Sequence, residues 1–455
     1  MRKKIVIFGL MLILGLGKLV MAQVWEEIRP SDDLPVGALP DERNGHVLIS
    51  SDGDKYLFGG FDQNTDLWRL REEGEGNWIW ENMGAGGDAP GERGGHSGIF
   101  AYDLNNSIIV FGGSASPLEL PLDRETYKLP EPWNLESKWE KLGTIGFPPP
   151  MAEHTAVYDS NNKWMIVFGG YTGYPIVASN DTYALDFSFP PAFWTLVNIL
   201  GDKPDPRYGH SAVRGGMGMM VFGGKNNGEF FNDCWELDLQ ENKWTEIPVT
   251  GNKPPARWQH TAVWKWGEQG GEMIIFGGED EDEKPLDDVW LLHTPGPGEP
   301  NYRWERIYPI GDLPSGRRGH AAALSGGPEG QQMFIFGGSG EKGDINDVYV
   351  FFKDEEVEKS LEEKPFNAPN PFNPDIEDTK ICYYLEEDDD DVKIKLFTLT
   401  GDLVYSWENI SGREGLNQWP WNGRNEKGKI VENGGYICLI EASGEKQKCK
   451  IAVLR

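Results

Sequence analysis

The chain has 455 residues, a formal net charge of −30, and 58 glycines and 18 tryptophans against 4 cysteines. So large an excess of acid argues against nucleic acid or anionic lipid as partner, since either would repel it. So few cysteines exclude a disulfide-dense scaffold, and the glycine and tryptophan content suits many short strands joined by tight turns.

The chain opens with Met1-Arg2-Lys3-Lys4, continues with an apolar run from Ile5 to Leu16, and offers small residues in Val20-Met21-Ala22. That order predicts a signal peptide over residues 1–22, cleaved between Ala22 and Gln23. The run is short for a membrane span and Lys18 interrupts it, so no span is expected after leader removal. The expected destination is export through a bacterial periplasm, to the medium or the outer cell surface.

From here the sequence repeats. His46, His96, His154, His210, His260 and His320 each precede a Phe-Gly-Gly triplet whose glycine pair lies 13 to 17 residues on, at Gly59, Gly112, Gly169, Gly223, Gly277 and Gly337. Six such copies at intervals of about fifty to sixty residues mean one structural unit used six times. A histidine present in every copy is expected to serve the scaffold. Each copy starts with a loop of the type Gly201-Asp202-Lys203-Pro204-Asp205-Pro206-Arg207, with the histidine three residues beyond the arginine. An alternating strand follows, then a buried apolar strand such as Met219-Met220-Val221-Phe222 running into the glycine pair. An acid then stands two places before an aromatic, at Asp66/Trp68, Glu125/Tyr127, Asp181/Tyr183, Asp233/Trp235, Asp288/Trp290 and Asp347/Tyr349. A strand opening on Trp, such as Trp244-Thr245-Glu246-Ile247, completes the copy. The sixth copy lacks that last strand, and Trp25-Glu26-Glu27-Ile28 at the other end of the chain has its form. One N-terminal strand is therefore expected to complete the last copy and remove the exposed edges.

With its glycine pairs, acid–aromatic pairs and spaced tryptophans, the segment resembles the kelch-repeat family of β-propellers. The resemblance implies an all-β fold, a six-bladed propeller over residues 23–352 closed by the N-terminal strand. In kelch propellers the loop before the first strand and the loop after Gly-Gly open on one face around a central channel, where ligands sit. That mouth would carry Arg43, Arg93, Arg207, Arg257 and Arg317 with the aromatic residues Tyr171, Tyr174, Tyr208 and Trp258. The arginines could hold an anionic ligand, or each could pair with the repeated acid of its neighbourhood. The aromatic faces could stack on sugar rings. The third copy breaks the pattern, with Met151 in place of the arginine and Glu153 in place of the glycine before His154. Glu153 is a weak catalytic candidate, open as a general base, a ligand contact or a partner of Arg207.

Residues 353–365 form an acidic linker, and residues 366–455 read as six or seven short strands of a small Ig-like β-sandwich. The opening Asn370-Pro371-Phe372-Asn373-Pro374, the turn Trp421-Asn422-Gly423 and a strand at the end of the chain resemble the Ig-like domain of flagellar hook-cap proteins and the C-terminal sorting domains of type IX secretion substrates. That resemblance implies passage across an outer membrane and contact with secretion machinery. Cys438 and Cys449 flank a turn at Ser443-Gly444, so they should lie on neighbouring strands, either bonded or as free thiols. Cys382 should point away from the face of Ile381, Tyr383 and Leu385.

No nucleophile elbow, zinc spacing or phosphate loop occurs, and the acidic runs at 279–283 and 386–391 lack the spacing of a calcium loop. Copper chemistry of the galactose oxidase type lacks its ligands, since His293 is the one histidine outside the repeat. No metal or cofactor is expected. The reading is a monomeric exported protein that binds carbohydrate or another surface protein at the propeller mouth. The alternative is an enzyme resembling the bacterial kelch sugar mutarotases, whose acid–base chemistry needs only a carboxylate and a cation.

Overall fold

The computed structural model describes residues 23–353 and 365–455, apart from gaps at 29–38, 52, 62–64, 75–76, 117–122, 174, 217, 251, 268–269, 296–300, 308, 326–330, 369–371, 375–378, 386 and 414. The expected leader, most of the linker and Tyr174 lie outside the described residues. Described secondary structure is all strand, in two compact units. No helix among the described residues is long and apolar enough to cross a membrane.

The first unit, Gln23–Lys353, holds six antiparallel sheets of four main strands each. The fourth is typical: Ser211–Gly215, Gly218–Phe222, Cys234–Asp238 and Lys243–Glu246 pair in chain order. In the sixth sheet the chain order breaks. Gln23–Glu27 pairs antiparallel with Gly343–Lys353, placing Trp25 opposite Phe351. Each sheet is open by itself, and it is the set of six that is cyclic. The first strand of each sheet neighbours the first strand of the next, and that of the sixth neighbours that of the first.

The repeated residues explain why neighbouring sheets stay together. The phenylalanine before each glycine pair is held between the histidine and the tryptophan of the following sheet. Phe168 meets His210 at 5.3 Å and Trp244 at 4.7 Å between ring centroids, and Phe58, Phe111, Phe222 and Phe276 meet His96/Trp139, His154/Trp194, His260/Trp304 and His320/Trp25 in the same way. Phe336 of the sixth sheet meets His46 and Trp80 of the first in the same way. Aromatic pairs in such tilted contacts are worth about 0.5–1.5 kcal/mol each beyond their burial. The glycines are needed because the same histidines lie on them. A Cβ on Gly169 would stand 2.7 Å from His210 Cε1, and one on Gly170 2.7 Å from His154 Cβ. Both glycines also have positive φ, +68° and +86°.

Deeper still, six residues form a belt of backbone hydrogen bonds. The N–H groups of Gly45, Gly95, Glu153, Gly209, Gln259 and Gly319 donate to the carbonyls of Gly319, Gly45, Gly95, Glu153, Gly209 and Gln259 respectively, at 2.6–2.9 Å. Each belt residue immediately precedes a repeated histidine. The belt and the six histidines line an axial cavity of about 120 Å³.

The second unit has two antiparallel sheets. One contains Phe366–Ala368, Thr379–Leu385 and Gly415–Trp421; the other contains Leu403–Gly412, Asp389–Thr398, Gly434–Ala442 and Glu445–Val453. Ile381, Tyr383 and Leu385 from the first share one core with Ile394, Leu396, Tyr436, Ile440 and Ile451 from the second. Cys382 alternates out of that core and is buried too. Cys438 and Cys449 are direct cross-strand partners on the last hairpin, and both are thiols rather than a disulfide. The hydrogen bond with Cys449, and then burial, push the Cys438 thiol far up.

Candidate functional site

The residue after each repeated arginine is bridged to the residue after the same sheet's Gly-Gly. These pairs are Asn44/Phe61, Gly94/Ser114, Ala152/Tyr171, Tyr208/Lys225, Trp258/Glu279 and Arg318/Ser339. Five of these pairs form the same two-way backbone bridge and Asn44/Phe61 a single hydrogen bond from Phe61 N–H, while the side chains differ in every sheet. Positions that vary on a fixed scaffold are where a repeat protein places its specificity. The three pairs from the fourth to sixth sheets bring together two cations, an acid and two large aromatics.

Lys225 is the centre of this sector. Its ammonium lies against the Trp258 ring, with Phe230 and Tyr208 at 5.4 and 5.8 Å. Burial lowers the amine to about 8, although Glu279 and Glu153 pull the other way. Glu279 is buried; its carboxylate accepts from Trp258 Nε1 at 2.9 Å and pairs with Arg318. Glu153 accepts from Gln259 Nε2 at 2.8 Å through Oε1. Burial raises the Glu153 carboxyl, against the Gln259 hydrogen bond and the charges of Lys225 and Arg318. Glu153 and Gln259 are also the two belt residues that are not glycine, yet they keep the glycine-like backbone, φ +56° and +51°. Left-handed backbone in a residue with a side chain costs energy, and such outliers cluster at functional sites. Glu153 thus has Gln259 as its partner, and Arg207 bonds elsewhere.

The arginines expected at the mouth are interior groups. Arg43, Arg207, Arg257 and Arg317 have no exposed surface and Arg93 is 3 % exposed. Arg207 donates to both oxygens of Asp233, at 2.6 and 2.8 Å, and to the Gly223 carbonyl. Arg43, Arg257 and Arg317 hold Asp66, Asp288 and Asp347 in the same two-pronged way. The indoles of Trp68, Trp235 and Trp290 donate to the same three tryptophan-preceding acids. This double use is what the acid–aromatic spacing encodes. Burial works against ionisation of Asp233, but the Arg207 guanidinium and Trp235 indole hold its carboxyl below the ordinary range. In the second sheet Arg93 pairs with Asp123 instead of Glu125, which turns to Lys141. In the third, where Met151 replaces the arginine, Asp181 pairs with Lys203 at 3.5 Å. Buried and committed to these carboxylates and carbonyls, the guanidinium groups present almost no surface to an anion at the mouth.

The aromatic residues expected there are present but enclosed. Tyr171, Tyr208 and Trp258 are 1, 8 and 9 % exposed and pack edge to face, at 5.5 and 6.1 Å. Their faces are used by one another and by Lys225, so they form a wall and not an open platform for a sugar ring.

The repeated histidines are neutral. Burial lowers His46, His154 and His260 to about 3, and His96, His210 and His320 well below the usual value. The Nε2 atoms of His154, His210, His260 and His320 bond to Ser97, Thr155, Ser211 and Thr261 of the preceding sheet, at 2.7–2.9 Å. Lys225, Gln259, Glu279 and Arg318 were not singled out as site residues from sequence. Their signal was there to be read, as departures after the arginine (Arg318), after Gly-Gly (Lys225 and Glu279) and before the histidine (Gln259).

Residues 104–271 and 242–369 match the profile described as the KLHDC2/KLHL20/DRC7 Kelch-repeats domain. The chain is 30 % identical over 316 residues to human Kelch domain-containing protein 2, covering 59 % of this chain and 73 % of the relative. It is 27 % identical over 344 residues to F-box/kelch-repeat protein At1g51550 of Arabidopsis thaliana, covering 68 % of each. A match of 31 % over 166 residues to the flagellar outer arm dynein alpha chain of Chlamydomonas reinhardtii spans 36 % of this chain and 4 % of that protein. The solved structure of YjhT superposes with a TM-score of 0.53 and 17 % identity, over 70 % of this chain and 97 % of that one.

Proposed function

The chain belongs to the kelch-repeat family, and on that premise we propose that it is an exported protein-interaction module whose partner docks at the partly exposed Lys225 and Arg318, which the buried Tyr208, Trp258 and Glu279 hold in place. The carrying observation is that the bridged positions of three adjacent sheets, alike in backbone, collect charged and aromatic side chains. On this reading the six sheets are the blades of a closed propeller, supported by the cyclic belt and by the Trp25 strand in the sixth sheet. The enclosed aromatic residues favour a protein partner over the carbohydrate also expected from sequence, because a protein surface can meet mixed charge without a flat ring face. The 1–22 leader supports export and a place in the medium or at the outer cell surface. The two-sheet C-terminal unit supports an Ig-like sorting or attachment module.

The test compares binding of extracellular and cell-surface proteins to the immobilised full chain and to its Arg318→Ala and Lys225→Ala variants, with a glycan array in parallel. Partners retained by the native chain and lost from both folded variants are expected. Equal retention by native and variant chains, or saturable array binding lost in the variants, would overturn the protein reading. A second reading has one observation in its favour. Glu153, a carboxyl raised by burial, and Lys225, an amine lowered to about 8, influence each other electrostatically, and offset pairs of this kind are used in proton transfer. Polarimetry on freshly dissolved sugar anomers distinguishes it, since only a mutarotase hastens their equilibration.

A further inference from the structure

The Trp421-Asn422-Gly423 turn of the C-terminal unit is locked by its neighbours. Phe372 packs on Trp421 at 5.4 Å between ring centroids, Trp421 Nε1 donates to the Arg424 carbonyl at 2.9 Å, and a Cβ on Gly423 would stand 2.3 Å from Pro374 Cβ. These contacts tie Phe372 and Pro374 to the turn. The same turn borders a cleft of about 330 Å³, lined among others by Tyr405, Trp407, Pro420, Asn422, Arg424 and Glu426. That size lies at the lower end of small-molecule sites, which start near about 300 Å³.

The chemistry of the lining is divided. Tyr405 and Trp407, two apart on one strand, share a face and stack at 4.4 Å with 29° between their planes. Both are half-buried, so part of this aromatic surface meets solvent. Asn422, Arg424 and Glu426 are exposed. Arg424 Nη1 donates to the Gly428 carbonyl at 2.9 Å, and the Glu426 side chain has no partner among the described residues. One cation and one anion cancel, so the lining selects for no net charge.

The two strands beside the cleft, Leu403–Gly412 and Gly415–Trp421, are sheet edges, which raises the possibility of an added strand. Both edges are blunted. Leu403–Gly412 pairs with register shifts and carries Asn409 at φ +55°, while Gly415–Trp421 contains Pro420, which has no N–H to donate. Backbone pairing is thus disfavoured, and side-chain recognition at the aromatic pair is left. We infer that this cleft binds a neutral saccharide. The C–H face of a sugar ring lies on Tyr405 and Trp407, and its hydroxyls bond to Asn422, Arg424 and Glu426. The site belongs to the C-terminal unit and does not rest on the propeller-mouth reading.

The experiment is saturation-transfer NMR on the full chain with methyl β-glucoside, N-acetylglucosamine, cellobiose and chitobiose as probes. A proline-rich decapeptide is run alongside, because aromatic grooves also take such peptides. Saturable transfer to the ring protons of at least one sugar is expected, weakened about tenfold in Tyr405→Ala and Trp407→Ala. Trp133→Ala, an exposed indole of the first unit, should leave the transfer unchanged. Transfer to none of the sugars, transfer that survives both cleft substitutions, or peptide binding without sugar binding overturns the proposal. Should the alanine variants fail to fold, Glu426→Gln decides, since that side chain is exposed and unpaired. A several-fold loss supports the site and an unchanged affinity overturns it.

Discussion

Four of the six belt positions are glycine, and the other two are Glu153 and Gln259, which keep the left-handed backbone and bond to each other. Each such residue costs about 1–2 kcal/mol relative to glycine. The double variant Glu153→Gly/Gln259→Gly relieves both residues and loses their mutual hydrogen bond, worth about 0.5–1.5 kcal/mol, so it should stabilise the chain by about 1–3 kcal/mol in urea unfolding while weakening partner binding, the pattern of strain kept for function. Lys225 carries a second prediction. Its folded value is lowered to about 8 by burial, so its charge disappears as pH rises through 8. Partner binding that uses the ammonium should fall between pH 7 and 9 in the native chain and stay level in Lys225→Met, as measured by calorimetric titration at each pH.

Between elements, the repeated unit is a clamp. One phenylalanine sits between a histidine and a tryptophan of the next sheet, on a glycine pair that lets the histidine approach. Gly112→Ala would place its Cβ 2.7 Å from His154 Cε1 at φ +68°, and should destabilise by about 2–4 kcal/mol in a urea series. Asp233→Asn removes the charge opposite a guanidinium with no exposed surface, and should cost about 3 kcal/mol in the same assay.

On the scale of the whole molecule, the sixth sheet is completed by a strand from far away in the chain, Gln23–Glu27 against Gly343–Lys353. Trp25 is buried against Phe276 and Phe351, at 5.2 and 5.0 Å, so Trp25→Ala should cost about 3–5 kcal/mol and be seen as a lowered calorimetric Tm. The histidine set also predicts acid lability. Folded His46, His154 and His260 are lowered to about 3, below the unfolded value near 6.5, so between those values the unfolded chain binds more protons. Their stabilising contribution is complete above about pH 6.5 and is lost as pH falls toward 3, at about 1.4 kcal/mol per unit for each histidine. The urea midpoint should therefore drop steeply from pH 7 to pH 5, and a flat profile would show these histidines to be accessible in the folded chain.

The sequence by itself determined which residues build the scaffold. Phe-Gly-Gly, the histidines, the Trp strands and the arginine–acid spacing recur because each copy solves the same packing problem, and even the pairing of Trp25 with the last strand was legible from what the sixth copy lacked. The tertiary structure decided where those side chains point. Spacing alone leaves Arg207 free to face a ligand or Asp233, and only the fold shows every guanidinium turned inward. The aromatic residues read as open faces are a closed cluster for the same reason, since burial depends on neighbours from other sheets. Lys225, Gln259, Glu279 and Arg318 passed unnoticed because a repeat draws attention to what it conserves between copies. Their shared sector exists only after distant loops of three sheets are brought together by backbone hydrogen bonds, which side-chain identities do not announce.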